Sequence, residues 1–468
     1  MGVKKLTALL ERFAPACFTT PAAKDIRGWR VSIDSNIYIH RFFRGPDTRY
    51  ADPERRHLHG IHRMAMFMKS ADITPVFVFD NAEPAECKMN ELSRREFARM
   101  VVSRELDSEL ERATRVKIYK SIASSCLGDR RIGNGVDSFD YAKDASLFGV
   151  SLPLDFDTRT NSTRADELAS AMHAGNLSQS SLRALAADFL LVTTARLQGL
   201  VLNRASKPTI ESRLSALELD VCAGLQQLLE DQATVSNEDA AETMHNLSRF
   251  SALSDERLST LQRRSEPLTE RHIMECQMLV SALGFATYTV SSGMESEAVC
   301  ASLDAAGIVD ATCSEDLDVL PFGGRRLLRN FSSLGGQMVL IDSARALSDL
   351  QLTREAFIDL CILCGTDFSS TLKNVGPITA LKLIRQYGSI ENILDTGKYE
   401  PRELFHYELA RSIFARDVKL PFSSRDELRP GKSSPEVLDS LLPTRDDDYV
   451  LGDTQSGSSD PFAQNIVF

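Results

Sequence analysis

Short apolar runs rich in β-branched and aromatic residues punctuate the chain: WRVSID (29–34), TPVFVFD (74–80), FATYTV (285–290), the stretch around VDATC (309–313) and QMVLID (337–342). Runs of this length, bounded by polar turns, read as buried strands. Between them apolar positions recur at helical spacing, as in RHLHGIHRMAMFMKSA (56–71) and LTERHIMECQMLVSALG (268–284). Strands alternating with helices predict an α/β fold with a mainly parallel central sheet flanked by helices. In such sheets ligand sites lie beyond the carboxyl ends of the strands. Asp34 and Asp80 fall at that end of their runs.

The remaining stretches divide the chain. Residues 88–120 read as one or two long charged helices with nine Lys/Arg (Lys88, Arg94, Arg95, Arg99, Arg104, Arg112, Arg115, Lys117, Lys120) against six acids. Taken alone they suit a solvated helix laced with i,i+4 ion pairs. Beyond 120 the character changes. GDRRIGNGVDSFDYAKD (128–144) and DFDTRTNSTR (155–164) are loop-like, and two helical patterns follow at 182–202 and 211–231. The expected organisation is 1–120, an insertion at 121–267 that is partly helical and partly disordered, 268–345, 346–442, and a polar, acidic, disordered tail at 443–468. There are no internal repeats.

Hydrophobic residues make up 43% and charged residues 25% of the 468, the balance of a soluble globular protein. No apolar run approaches the roughly 20 residues of a membrane span. The start, MGVKKLTALL, lacks the order of a signal peptide, and Leu6 stands where a myristoylation signal needs Ser or Thr. The nine cysteines form no framework. Cys361 and Cys364 make a lone C-x-x-C without the second pair of a zinc site, so they read as packed thiols in a reducing compartment. The net charge of −11 argues at first against a nucleic-acid partner. It argues less if the acids are concentrated in one metal site and local basic patches meet the nucleic acid.

The acids do show such a concentration. Asp34 lies in VSIDSN, Asp80 in VFVFDN, Glu295 and Glu297 in SSGMESEA, Asp316 and Asp318 in CSEDLDVL, and Asp367 in LCGTDFS. Each stands beside an apolar run, at the edge of a core. Carboxylates gathered there repel one another and desolvate badly. Divalent cations compensate, and all-oxygen donors suit Mg²⁺ or Mn²⁺. Two ions about 4 Å apart are a known arrangement for phosphodiester hydrolysis. Ser291, Ser292 and Gly293 predict a turn ahead of a helix, with the glutamates in its first turn, where the helix dipole favours negative charge. Any single acid is equally well a helix N-terminal or turn residue. That bland account weakens when five segments each supply one beside a strand or turn.

In order, MGV-x-x-L, an IDS strand, VFVFD, an E-x-E, SEDLD, and G-T-D followed by VGP resemble the flap endonuclease/XPG family of structure-specific 5′ nucleases. The resemblance covers roughly residues 1–120 and 268–442. It implies a PIN-like nuclease core with a helix-two-turn-helix element and a helical arch beginning before 120. It also implies metal-dependent hydrolysis leaving a 5′-phosphate and a 3′-hydroxyl. The seven acids correspond to the family's metal ligands for two Mg²⁺ or Mn²⁺ ions. The family's K-x-x-E-L-x-[KR]-R pattern is met by Lys88, Glu91, Leu92, Arg94 and Arg95, which carries phosphate contact to Lys88 and Arg95, with Arg94 as the alternative. This moves the reading of the 88–120 helix from a solvated face to a functional one. Gly2 matches the glycine near the active site, and His40 stands where relatives stack an aromatic on a base; Tyr38 reads as core. STLKNVGPITALKLIRQYGSIENIL (370–394) is similar to the helix-two-turn-helix. There Gly376 and the helix N-terminus after Pro377 meet a phosphate, Lys373, Lys382 and Arg385 add charge, and backbone carbonyls hold K⁺.

The expected partner is DNA with a 5′ flap, branch or end, with RNA as a further partner, and the family implies nuclear residence and a role in replication or repair. Two features depart from the family's pattern. Asp80 and Glu295 are 215 positions apart, leaving an insertion that extends the arch, caps it or binds a protein partner. At the other end Gln464 begins QNIVF, which stops short of a sliding-clamp motif. A second function stays open: a catalytically weak or inactive relative acting in post-transcriptional regulation, as a scaffold for RNA or protein.

Overall fold

The structure is a computed structural model, and it describes residues 3–45, 53–81, 89–127, 179–202, 209–230, 235–331 and 337–442. These form two compact units, one from the segments up to Phe97 and from Pro267 onward, the other from Ala98–Glu266.

The first unit is built on a seven-stranded sheet in the order β1-β7-β6-β5-β2-β3-β4. Its strands are β1 (Phe18–Thr19), β2 (Arg30–Asp34), β3 (Thr74–Phe79), β4 (Ala286–Thr289), β5 (Ala311–Cys313), β6 (Arg326–Arg329) and β7 (Val339–Asp342). From β6 to β4 the neighbours pair in parallel, while β7 pairs antiparallel with both β6 and β1. The mainly parallel α/β sheet expected from the sequence is therefore present, together with two strands, β1 and β6, that the pattern did not reveal.

Period-two alternation sorts β2 and β3 between two faces. Val31, Ile33, Phe77 and Phe79 enter a core with the helices Ser35–Arg44, Arg56–Ser70 and Glu270–Ala282. Val76 and Val78 pack on the other side with Val299, Cys300 and Leu303 of the helix Ser296–Ala305. Ser32 shares that side, its Oγ donating to the Cys300 carbonyl at 3.3 Å. Two residues on, Asp34 faces the same way.

A third core joins the helices Leu6–Phe13, Ser343–Leu350, Arg354–Cys364, Pro377–Tyr387 and Tyr407–Phe414. Cys361 and Cys364 are buried free thiols within it, as expected, and burial pushes Cys364 up to about 12. Tyr38 is also core, with its hydroxyl 3.2 Å from Cys313 Sγ.

The second unit is a helical bundle. The later part of Met89–Leu127 packs with Gln179–Leu202, Ile210–Glu230 and Asn237–Ser265 around Tyr119, Leu190, Leu225 and Phe250. It begins inside the stretch that the sequence assigned to the N-terminal region. Asn237–Ser265 was not evident from its apolar spacing, because its buried hydrophobics are sparse. It starts at an N-cap, where Ser236 Oγ accepts from the Asp239 amide at 3.1 Å.

This bundle corrects the reading of the charged helix. Arg112 is buried and its guanidinium meets Glu109, Glu211 and Glu218, while Arg115 Nε donates to Glu218 Oε1 at 2.6 Å and the Tyr119 hydroxyl donates to the same atom at 2.9 Å. These arginines tie the helices of the bundle together and are turned away from solvent. Among the described residues no helix is long and apolar enough to cross a membrane. The loops expected at 128–144 and 155–164 and the tail 443–468 lie outside the described residues.

Candidate metal centre

Asp34 ends β2, and Asp80 directly follows β3. After β4 the chain turns at Ser291–Met294, with Gly293 at φ +76° and the Met294 amide donating to the Ser291 carbonyl at 3.1 Å. Glu295 then takes the N-cap position of the helix Ser296–Ala305 without a side-chain capping bond, and Glu297 stands in its first turn, where the sequence placed both glutamates. Beyond β5, Asp316 caps a short 3₁₀ turn and its Oδ1 accepts from the Asp318 amide at 3.0 Å. Asp367 lies in a turn opened by Gly365 at φ +100°, whose carbonyl accepts from the Lys4 amide at 3.0 Å. All these positions follow the carboxyl ends of parallel strands or the end of a core helix.

The side chains converge. Carboxylate oxygens of Asp80, Glu295 and Glu297 lie within 4.8 Å of one another. Asp34, Glu295, Asp316, Asp318 and Asp367 are buried. Burial, then the charges of Glu297 and Asp80, hold the Asp34 carboxyl well above the usual aspartate range. Burial and Glu297, with Asp367 contributing, push Asp316 up to about 6. These mutual influences link Asp34, Asp80, Glu295, Glu297, Asp316 and Asp367 into one cluster, while Asp318 is buried next to it with its backbone amide donating to Asp316 Oδ1. An all-oxygen donor set whose members repel one another fits a hard divalent cation.

Two residues that the sequence reading did not single out hold this cluster. Ser296 Oγ donates to Asp34 Oδ1 at 3.0 Å, and the Ser296 amide donates to Asp80 Oδ1 at 3.1 Å. Ser314 Oγ donates to Asp34 Oδ2 at 2.8 Å and accepts from the Asp316 amide at 3.0 Å. Their signal in the sequence was slight, a small hydroxyl residue inside each acidic motif. Glu315, between Ser314 and Asp316, braces the same loop: its carboxylate accepts from Arg41 Nη1 at 3.1 Å and from the Asn330 amide at 2.9 Å.

A model described as the XPG N-terminal domain matches residues 1–101, and one described as the XPG I-region matches residues 287–367, which contains five of the seven acids. The chain thus carries both the N-terminal region and the I-region of the XPG family. The two family regions flank 102–286, so the helical bundle stands where the chain departs from them. A flap endonuclease 1 of Ostreococcus lucimarinus is 40% identical over 165 residues, covering 34% of this chain and 42% of that protein. The chain thus matches well under half the length of that relative. An uncharacterized protein of Schizosaccharomyces pombe is 24% identical over 419 residues, covering 85% of this chain and 82% of that one. Among solved structures, the catalytic core of Rad2 in complex with DNA substrate overlays with a TM-score of 0.48 at 16% identity, covering 94% of each chain.

The other residues that the XPG resemblance nominated are placed as follows. Gly2 and Lys88 lie outside the described residues. Arg94 and Arg95 fall in the helix Met89–Leu127, with their side chains outside the description. His40 is half-buried on Ser35–Arg44. Gly376 caps Pro377–Tyr387, with Pro377 in the first turn and open space where a Cβ would stand, so a ligand can approach that backbone. Lys373 and Lys382 are exposed. Lys373 Nζ is 2.8 Å from the exposed Glu400, a surface pair that a phosphate can displace at little cost. Arg385 is exposed as well, and its Nε and Nη2 both donate to the Leu350 carbonyl, at 3.1 and 2.9 Å, at the end of Ser343–Leu350. A cation is stabilising at a helix C-terminus, so the geometry gives Arg385 a part in the fold.

Proposed function

We propose that this chain is a metal-dependent 5′ nuclease that cleaves phosphodiester bonds at flaps, branches or ends of DNA. The observation that carries the proposal is the convergence of the acids, with Asp80, Glu295 and Glu297 close enough to share one ion and Asp34 and Asp316 coupled to them by charge. When bound, Mg²⁺ or Mn²⁺ there would supply Lewis acidity to a phosphodiester and quench the repulsion among the acids. Asp34, Asp80, Glu295, Glu297, Asp316, Asp318 and Asp367 hold that ion set in place. Lys88 and Arg95, with Arg94 as the alternative, steady the scissile phosphate, where a cation counts most as charge develops. His40 stacks on a base. The amides at the start of Pro377–Tyr387, with Lys373 and Lys382, grip the duplex backbone without reading its sequence. Residence in the nucleus is part of the same proposal.

The experiment is a Mg²⁺ titration with a labelled 5′-flap DNA, EDTA as control, and the variant Asp316→Asn. The expected result is metal-dependent product from the wild type. The variant should give none while still binding the DNA. Equal cleavage by both proteins would overturn the site. Wild-type protein that binds DNA or RNA but gives no product at stoichiometric ratios would favour the scaffold function.

A further inference from the structure

Asp34 is the most enclosed of the acids, 2% exposed at the end of β2, and both of its oxygens are spoken for. Oδ1 accepts from Ser296 Oγ at 3.0 Å and Oδ2 from Ser314 Oγ at 2.8 Å. The two hydroxyls come from opposite sides of the cluster, one from the helix after β4 and one from the loop after β5. Each also touches another acid. Ser296 Oγ lies 3.4 Å from Glu297 Oε2 and its amide donates to Asp80, while Ser314 Oγ accepts from the Asp316 amide. Both serines are fully buried. Neither contact is forced by local geometry, since a helix start is served as well by alanine and the strand exit needs no hydroxyl.

We propose that Ser296 and Ser314 are positioning residues of the acidic site, a two-hydroxyl clasp that fixes the Asp34 carboxylate in the orientation needed to receive a divalent cation. A carboxylate hemmed in by other carboxylates will otherwise rotate away from them. Two charge-assisted hydrogen bonds, one to each oxygen, remove that freedom and leave each oxygen a lone pair with which it could serve a cation. Outer partners of metal ligands typically set affinity by about 10- to 100-fold. This inference rests on the acidic cluster being a metal centre.

The test is Mn²⁺ binding without nucleic acid, read by the free-ion EPR signal in the full chain. It compares wild type, Ser296→Ala, Ser314→Ala, the double variant, Ser314→Thr and the control Ser302→Ala. Ser302 is on the same helix, but its hydroxyl donates to the Ala298 carbonyl at 2.7 Å. The expected result is Mn²⁺ affinity about tenfold weaker in each single alanine variant, weaker again in the double, restored by Ser314→Thr and unchanged in Ser302→Ala. Unfolding of the metal-free proteins is followed in parallel. A loss of Mn²⁺ affinity that merely tracks a loss of metal-free stability would overturn the clasp in favour of simple packing. So would unchanged affinity in the double variant. Wild-type protein that takes up no Mn²⁺ would instead refute the metal centre, and the clasp with it.

Discussion

Replacing Asp316 by asparagine should stabilise the metal-free protein while abolishing the proposed metal-dependent cleavage. Burial and the neighbouring Glu297 raise the Asp316 carboxyl to about 6 in the folded state. An unfolded aspartate titrates near ~3.9. Between those two values the native chain binds more protons than the unfolded chain, so stability falls as pH rises through the window and stays low above about 6. The displacement of roughly two pH units, at about 1.36 kcal/mol each, corresponds to about 3 kcal/mol. Asparagine keeps the shape and an oxygen to accept from the Asp318 amide, and carries no charge to lose. At pH 7.5 in EDTA the variant should therefore exceed the wild type by up to about 3 kcal/mol. In saturating Mg²⁺ the order should close or reverse, because a ligand at a hundredfold excess over its Kd adds about 2.7 kcal/mol to whichever protein binds it.

The assay is urea unfolding followed by tryptophan fluorescence. The chain has one tryptophan, Trp29, beside β2 and packed on the core of the first unit, so the signal reports the unit that holds the acids. Wild-type stability in EDTA should decline from pH 4 to 6.5 more steeply than that of the variant. An asparagine variant less stable than wild type at pH 7.5 in EDTA would refute the reasoning, since it would mean that the buried charge is compensated within the fold and needs no ion.

Further outcomes test other parts of the molecule. Glu218→Leu leaves Arg115 without its buried carboxylate and should cost about 3–5 kcal/mol, lowering the urea midpoint read by far-UV circular dichroism; an unaltered midpoint would remove the ion network as a stabilising element. Lys382→Ala should weaken binding equally for all duplex sequences and lower the salt slope by about one in fluorescence anisotropy. An unchanged slope would mean that Lys382 meets no phosphate. Lys88→Ala should reduce kcat more than it raises Kd for flap DNA in single-turnover kinetics, whereas a pure loss of affinity would count against action in the transition state.

The acidic site was legible because its chemistry is local. Each acid ends an apolar run or opens a turn, and the sheet then brings those ends together; the pattern around Ile33–Asp34 and Phe79–Asp80 already carries that information. β6 was missed because Leu327 and Leu328 are framed by Arg326 and Arg329, and two apolar residues between charges make no visible alternation. The fate of Arg112 was illegible for a different reason. Its partners Glu211 and Glu218 are about a hundred residues further along, and the local charge pattern equally allows a solvated face. Arg385 is a similar case, since the carbonyl it meets belongs to another helix. Charge partners at long range follow from packing, and packing is what a single sequence conceals.

That contrast bears on how the two units handle buried charge. In the bundle, Glu109, Glu211 and Glu218 are met by Arg112 and Arg115, so its charge is largely settled within the protein. Around Asp34 and Asp316 the dominant neighbours are other acids, and the hydrogen bonds from Ser296 and Ser314 orient charge without cancelling it. A fold selected only for stability would have converted the second arrangement into the first, since one arginine among these acids would relieve several repulsions at once. A buried cluster of mutually repelling acids is instead what a site completed by external cations requires. The cost of assembling it falls on the metal-free state, which is why stability in EDTA, and not cleavage alone, is the sharper measure of what these carboxylates are for.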